Sequence, residues 1–423
     1  MMYRLYNSVV PFIALAGRVW LRVHPDHRQL LQRFRPDMPP CGAPPLWVHA
    51  CSVGEVNTAR PIIHALQERF PDTPVLLSVS TASGHALAQK DPAGALLTWF
   101  PFDVKETVRH FVRAANPRAL ILIETEIWPN VLRETRRFGA PVIVVNGRLS
   151  DKHIARYRRW RRFFAPIFMQ LTAVGAQNDD YARRFIEIGA DPAAVKVTGN
   201  TKFDGVITSV DPRMRIRSKA ENGFPPDHPI LLFGSTRPGD EALAAQCWRA
   251  LREEFPSLRL VVAPRHRDRL EEAMAPFDDP ILRRSEVQQG RMPAGERVFF
   301  LDTVGELVQF YAIASVAVVG GSFYPGVNGH NPLEPAALGA PTVFGPYMSN
   351  FTDPARALTD AHGAIQLRGP ESLCETLRAL LRDPARQRQL GTRGRKAVLE
   401  NRGAVQRNVD LIADVLNLSL IHI

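Results

Sequence analysis

The sequence contains no run of eighteen uncharged apolar residues, which excludes a multi-span membrane protein. Its four cysteines, Cys41, Cys51, Cys247 and Cys374, form no CxxC pair. A disulfide framework and the common zinc ribbons are therefore excluded, and a reducing compartment fits. No short-period repeat is present, so solenoids and propellers are excluded. There is no GxGxxG fingerprint and no Walker A lysine, which removes the standard dinucleotide and P-loop sites. Aromatics do not interleave with basic residues as in nucleic-acid recognition modules.

What is present is a globular composition with a basic bias. The chain has 423 residues, and 53 Lys+Arg against 42 Asp+Glu leave a net charge of +11. The length predicts two or three domains with a sizeable core. The charge predicts an anionic partner, with lipid headgroups or a phosphorylated ligand favoured over nucleic acid. Leu5 to Leu21 is mostly apolar, interrupted by Pro11 and Arg18 and followed by Arg22, Arg28, Arg33 and Arg35. It is marginal for a span and lacks a signal-peptide cleavage site. Trp20 with trailing arginines predicts a membrane anchor or interfacial helix; a helix packed on the first domain is the plain alternative. If the segment spans, the positive-inside rule places the rest of the chain in the cytoplasm.

From residue 46 the pattern alternates strand and helix. Leu46–Ala50, Val75–Ser80, Leu96–Phe100, Ala119–Ile123, Val142–Val145 and Thr172–Gly175 read as strands, with Val56–Phe70 a helix. The fully apolar run Ala119–Ile123 fits a parallel strand buried on both faces. Residues 199–228, rich in Gly and Pro, read as a linker or hinge. Alternation then resumes with strands at Ile230–Gly234, Leu258–Ala263, Val298–Leu301, Val316–Val319 and Thr342–Phe344, and a helix over Asp240–Phe255. From Ser349 on the chain reads as mainly helical. The pattern predicts two doubly wound α/β domains with a cleft between them, and ligands at the carboxyl ends of the strands.

Residues just after each strand are therefore the site candidates. His49-Ala-Cys-Ser-Val-Gly-Glu55 opens a helix, where backbone N–H groups can face an anion. Glu55 is a candidate base, but Ser52 three residues earlier also fits a capping box. Asp103 follows the third strand, as acid or as an N-cap; Glu124 and Glu126 follow the fourth, with Trp128 as packing residue or lid. Gly234-Ser235-Thr236-Arg237-Pro-Gly239 resembles a phosphate-cradling turn, and Pro264-Arg265-His266-Arg267 suits a phosphate or carboxylate. A Gly-rich loop, Gly320-Gly321-Ser322 to Gly329, leads to His330, Asn331 and Glu334, a carboxylate suited to ribose hydroxyls. No His/Cys/Asp set has metal-ligand spacing.

These motifs resemble the Kdo transferases of Gram-negative bacteria (3-deoxy-D-manno-octulosonic acid transferases), glycosyltransferases of the GT-B fold. The matching pieces run in order from about residue 46 to 351: WVHACSVGEV, LLSVSTASG, FPFD, LIETEIWPN, VNGRLSDK, TGNTKFD, APRH, GGSF and GHNPLEPAALGAP, then FGP and Asn350-Phe351. Cys51 stands where the family has a small residue such as alanine, Arg237-Pro238 replaces a histidine-containing version, and the Gly321–His330 loop is about one residue longer. The resemblance implies transfer of Kdo from CMP-Kdo, a substrate rather than a cofactor, to a lipid A precursor, lipid IVA. The setting would be the cytoplasmic face of the inner membrane, with no metal and no nucleic acid. It implies an anchor helix in 1–40, an acceptor-binding domain in 41–205 and a donor-binding domain in 206–423. Glu55 would be the catalytic base, with Asp103, Glu124 and Glu126 orienting hydroxyls. Ser52, Gly54 and Trp128 fall to the acceptor. Ser235, Thr236, Arg237, Pro264, Arg265, His266, Gly321, Ser322, His330, Asn331 and Glu334 fall to the donor. Two alternatives are another GT-B enzyme using a UDP donor and a non-enzymatic surface binder driven by charge.

Overall fold

In the computed structural model, residues 2–421 are described, and the chain divides into two compact units: Met1–Gly205 with Arg402–Ile423, and Val206–Asn401. The final segment, assigned from sequence to the second domain, thus belongs with the first. The reason is apolar. Val409, Ile412, Val415 and Leu416 of the helix Ala404–Ile421 complete one core of the first unit. Residues 422 and 423 lie outside the described residues.

The first unit is built on seven parallel strands: β1 Leu46–Ala50, β2 Val75–Val79, β3 Leu96–Trp99, β4 Ala119–Ile123, β5 Val142–Gly147, β6 Ala173–Ala176 and β7 Val195–Val197. Their order is β3-β2-β1-β4-β5-β6-β7. Successive side chains of a strand point to opposite faces. Trp47, Leu120, Leu122, Val142 and Val144 therefore fill one core, and Leu46, Val48, Ile121 and Ile143 the other. Burial on both faces explains the continuous apolar runs.

The second unit repeats the plan with β8 Ile230–Thr236, β9 Arg259–Pro264, β10 Ile281–Arg283, β11 Val298–Phe300, β12 Val316–Val319, β13 Thr342–Phe344 and β14 Ala364–Gln366. The order is β10-β11-β9-β8-β12-β13-β14, again all parallel. In each sheet the direction of winding reverses once, between β1 and β4 and between β8 and β12. Such switch points leave a crevice at the strands' carboxyl ends, because the flanking connections run to opposite faces.

The stretch 199–228, read as a linker, contains the boundary between units but also a helix, Pro212–Glu221. Asp211 caps it by accepting from Arg213 N–H, and Pro212 occupies its first turn. The N-terminal segment is a helix, Met2–Val23, whose Leu21 is buried while Leu5, Phe12, Ile13, Leu15 and Trp20 are exposed. No helix among the described residues is long and apolar enough to cross a membrane. The cysteines hold one departure: Cys247 and Cys374, 127 residues apart, form a disulfide between the helices Asp240–Leu251 and Leu373–Arg382. Helix packing brings them together, which sequence spacing could not reveal.

Candidate active site

The switch point of the first sheet carries an acidic cluster. Ser52 caps the helix Val53–Arg69, and Glu55 lies in its first turn. Glu55 accepts from the Cys51 N–H (2.7 Å) and the Ser52 hydroxyl (3.1 Å), and its own N–H reaches Ser52 Oγ at 3.4 Å. These are capping contacts, as the sequence allowed. A cap alone does not account for the surroundings. Burial and the nearby Glu126 push the Glu55 carboxyl up to about 8, whereas a glutamate at a helix start is ordinarily stabilised as an anion.

Glu124 and Glu126 arrive beside Glu55 because β4 is hydrogen-bonded to β1. Glu124 stands at φ 61, a left-handed conformation uncommon for a non-glycine residue and a mark of local strain. Glu126 accepts from the Trp128 indole N–H at 2.9 Å. Burial works against its charge, but the contacts of His49, Trp128 and Cys51 outweigh it and hold Glu126 below the usual carboxylate range. Trp128 thus orients an acid through its indole N–H. Two neighbouring carboxyls with pKa values driven apart divide into one that stays ionised and one that carries a proton near neutrality.

Asp103 is placed differently from the sequence expectation. Its carboxylate accepts from Asn130 N–H (3.0 Å), Val131 N–H (2.8 Å) and the Tyr6 hydroxyl (2.7 Å). It is buried and caps the helix Pro129–Phe138 from outside, rather than its own following helix, Lys105–Ala115. With three donors bound, this carboxylate fastens the N-terminal helix and does not present itself to a substrate. Ser52 and Gly54 sit on the accessible turn next to Glu55.

The second switch point gathers basic and polar groups. Ser235, at φ 57, is left-handed one residue before the end of β8, where the register against β9 shifts. Arg237 Nε donates to His330 Nε2 (3.2 Å), and its Nη1 contacts His266. Burial, with Arg237, Arg265 and His266 around it, pushes His330 down to about 4, so it is a neutral acceptor. Asn331 bonds Glu334 and the Leu333 N–H. Burial raises Glu334, which Asn331 and Arg265 partly offset. Pro264 ends β9, and the N–H of Arg265 donates to Thr236 O (3.0 Å). Gly320 admits the backbone because a Cβ there would lie 2.5 Å from Ser235 O, and Gly321, at φ 66, donates to Asp240 Oδ2.

Two expected donor residues are committed elsewhere. Thr236 is buried with its hydroxyl on Glu241 (2.8 Å). Ser322 is buried, donates to Val319 O (2.6 Å) and accepts from Gly345 N–H (2.9 Å), stitching β12 to β13. Asp240 escaped the sequence reading; its carboxylate bridges Arg237 N–H and Gly321 N–H and so joins the loops after β8 and β12. His49 and Arg33 were also missed. His49 is a polar residue in a strand buried on both faces, which was the available signal. Arg33 reaches Phe100 O (2.9 Å) and Ser80 O (3.3 Å) from the N-terminal segment. The fold also brings ligand atoms of Cys51, Glu55 and Glu126 within 4.8 Å of one another, a grouping that residue spacing concealed.

Residues 26–205 match the family model described as 3-Deoxy-D-manno-octulosonic-acid transferase (kdotransferase). A curated 3-deoxy-D-manno-octulosonic acid transferase of Bordetella pertussis is 32% identical over 385 residues, covering 88% of each chain. The chain belongs to the Kdo transferase family. The Haemophilus influenzae transferase is 29% identical over 386 residues, covering 89% of this chain and 88% of its own. Among solved structures, a glycosyltransferase from Rickettsia africae superposes with a TM-score of 0.58 at 10% identity, over 89% of this chain and 98% of that one. At that identity the likeness speaks for fold alone. This Kdo transferase has the α/β architecture of GT-B glycosyltransferases, and its activity class is transfer of Kdo in lipopolysaccharide biosynthesis.

Proposed function

We propose that the protein transfers Kdo from CMP-Kdo to the lipid IVA disaccharide, with Glu55 as general base. The observation that carries this reading is Glu55 held by Cys51 N–H and Ser52 at the switch point, its carboxyl raised to about 8 beside ionised Glu126. A carboxylate of that basicity takes a hydroxyl proton near neutral pH far better than an ordinary glutamate. The acceptor oxygen then bonds to the anomeric carbon of Kdo as the bond to the CMP phosphate oxygen breaks. The electron pair leaves with CMP, and the configuration inverts. CMP is a good leaving group and needs no acid. Arg237 and Arg265 supply positive charge and donors for the phosphate and carboxylate of the donor, with His266 beside Arg237. Glu334 and Asn331 suit the ribose hydroxyls. The helix Met2–Val23, with its exposed apolar side chains and basic flank, lies on the inner membrane's cytoplasmic face, where the acceptor resides.

The test is transfer in detergent from CMP-Kdo to lipid IVA, followed by product mass, for the wild type and Glu55→Ala. Wild-type product carrying added Kdo is expected, with a loss of roughly 10²–10⁴-fold in the variant. Equal rates remove Glu55 as base. No product from folded wild type, with turnover of a UDP-sugar instead, overturns the donor. Flotation with anionic vesicles checks the membrane assignment.

A further inference from the structure

The acidic cluster has a feature that catalysis by Glu55 does not use. His49 is fully buried, and its Nδ1 faces Ser78 O at 2.9 Å. A carbonyl only accepts, so Nδ1 carries a proton; Nε2 faces Glu126 with an N–H when the ring is charged and with its lone pair when burial, which lowers the His49 pKa, leaves the ring neutral. That Nε2 has no hydrogen-bond partner. It points toward Glu126 Oε2, 3.8 Å away, too far for a hydrogen bond. Glu126 is in turn grouped with Cys51 Sγ and a Glu55 oxygen, all within 4.8 Å.

We propose that His49, Cys51, Glu55 and Glu126 form a binding site for a zinc-class divalent cation. One imidazole nitrogen, one sulfur and two carboxylate oxygens are the donor set of a borderline-soft metal rather than of calcium or magnesium. Tetrahedral zinc with bonds of about 2.0 Å to N and O separates its ligand atoms by about 3.3 Å. The His49–Glu126 pair is already near that separation, Cys51 Sγ and a Glu55 oxygen lie within 4.8 Å of Glu126, and on binding Glu55 exchanges a bond to Cys51 N–H or Ser52 for the ion. The Nδ1–H···O=C bond to Ser78 is the outer contact that metal-binding histidines ordinarily make to fix the tautomer. Charge favours the ion as well: Glu126 and Glu124 both work against ionising Glu55, an opposition that a cation among them would relieve. On binding, the Cys51 thiol gives its proton to solvent and becomes a thiolate ligand, and protonated Glu55 does likewise, so affinity falls as pH falls. If Glu55 is the base, as proposed above, the bound ion occupies it and blocks transfer.

The site is tested apart from activity. The full-length protein is titrated with Co²⁺, and the thiolate-to-cobalt charge-transfer absorption is followed, with Zn²⁺ as competitor. One equivalent per chain is expected, displaced by Zn²⁺, with the band absent in Cys51→Ala and binding weakened at least tenfold in Glu126→Gln. Circular dichroism of both variants checks folding. No band in the wild type, or an unchanged band in Cys51→Ala, overturns the proposal. Transfer assays with and without Zn²⁺ then give a separate answer. Inhibition of the wild type, relieved by chelator and lost in Cys51→Ala, upholds the site and its consequence. Cobalt binding without inhibition upholds the site and overturns Glu55 as base.

Discussion

Glu55 and Glu126 come from adjacent strand ends, yet their environments drive them in opposite directions. Glu126 gains the Trp128 indole N–H at 2.9 Å, while Glu55 sits buried next to that negative charge. The sign of the pH effect follows. Glu55 must lose its proton to act, so transfer by metal-free enzyme should rise with pH through a midpoint near 8. Stability runs the other way. A carboxyl raised from its ordinary value binds a proton in the folded state that the unfolded chain has released, so its contribution is complete at low pH and is lost as pH rises through about 8. Glu55→Gln should abolish the rise in activity and flatten the fall in stability over that window; rate–pH profiles and denaturant melts at several pH values check both. A midpoint that stays near 8 in a residually active Glu55→Gln assigns it to another group. Glu55, Glu124 and Glu126 were legible in the sequence because acids after apolar strands are conspicuous. His49 was not singled out, since only the fold reveals that its Nε2 is unpartnered.

At the scale of elements, the sequence indicated the inner strands and the edge strand β3, and missed the other three edges. Val195–Val197, Ile281–Arg283 and Ala364–Gln366 were not anticipated, and each is a three-residue strand at a sheet edge. An edge strand borrows its definition from a single neighbour, so its own residues carry little pattern. The Gly-rich segments were legible as close-approach turns, but which side chains they exhaust was not: Ser322 and Thr236 look like ligand contacts and are structural bonds. Asp103 is the sharpest case. Its carboxylate joins three elements: the strand-to-helix turn it occupies, the helix Pro129–Phe138 and, through Tyr6, the N-terminal helix. Asp103→Ala leaves two buried N–H groups without acceptors, at about 1–3 kcal/mol each. The variant should lose about 2–6 kcal/mol of unfolding free energy. Transfer per folded molecule should stay within about threefold of wild type, and amide exchange in residues 2–23 should accelerate. Tyr6→Phe should give the exchange change with a stability loss of only about 1 kcal/mol. A large drop in kcat in a stably folded Asp103→Ala sample would return this residue to the catalytic group.

At the scale of the whole molecule, chain order and structural membership part company. The chain builds the first unit, then the second, and its last helix goes back to the first. Four polar contacts fix that return. Asp204 accepts from the N–H groups of Gly403 and Val405, and buried Asn408 Oδ1 accepts from the Thr198 hydroxyl (2.9 Å) and Asn146 N–H (3.3 Å). Gly175 leaves room for it, since a Cβ there would lie 2.4 Å from Asn408 Oδ1. The apolar part is larger. Val409, Ile412, Val415 and Leu416 are buried against the core that holds Ile143 and Val145. At about 1.5–3 kcal/mol per buried aliphatic side chain, four of them contribute roughly 6–12 kcal/mol. That is comparable with the entire net stability of a domain, about 5–15 kcal/mol. Ending the chain at residue 401 should therefore unfold the first unit, although every one of its strands is still present, and leave the second unit folded. Hydrogen exchange by mass spectrometry separates the two. Peptides from residues 46–205 should lose protection in the truncated chain, those from 230–380 should keep it, and adding the segment 402–423 as a peptide should restore the first set. Retained protection across residues 46–205 would mean that the returning helix is a passenger on a unit that folds without it.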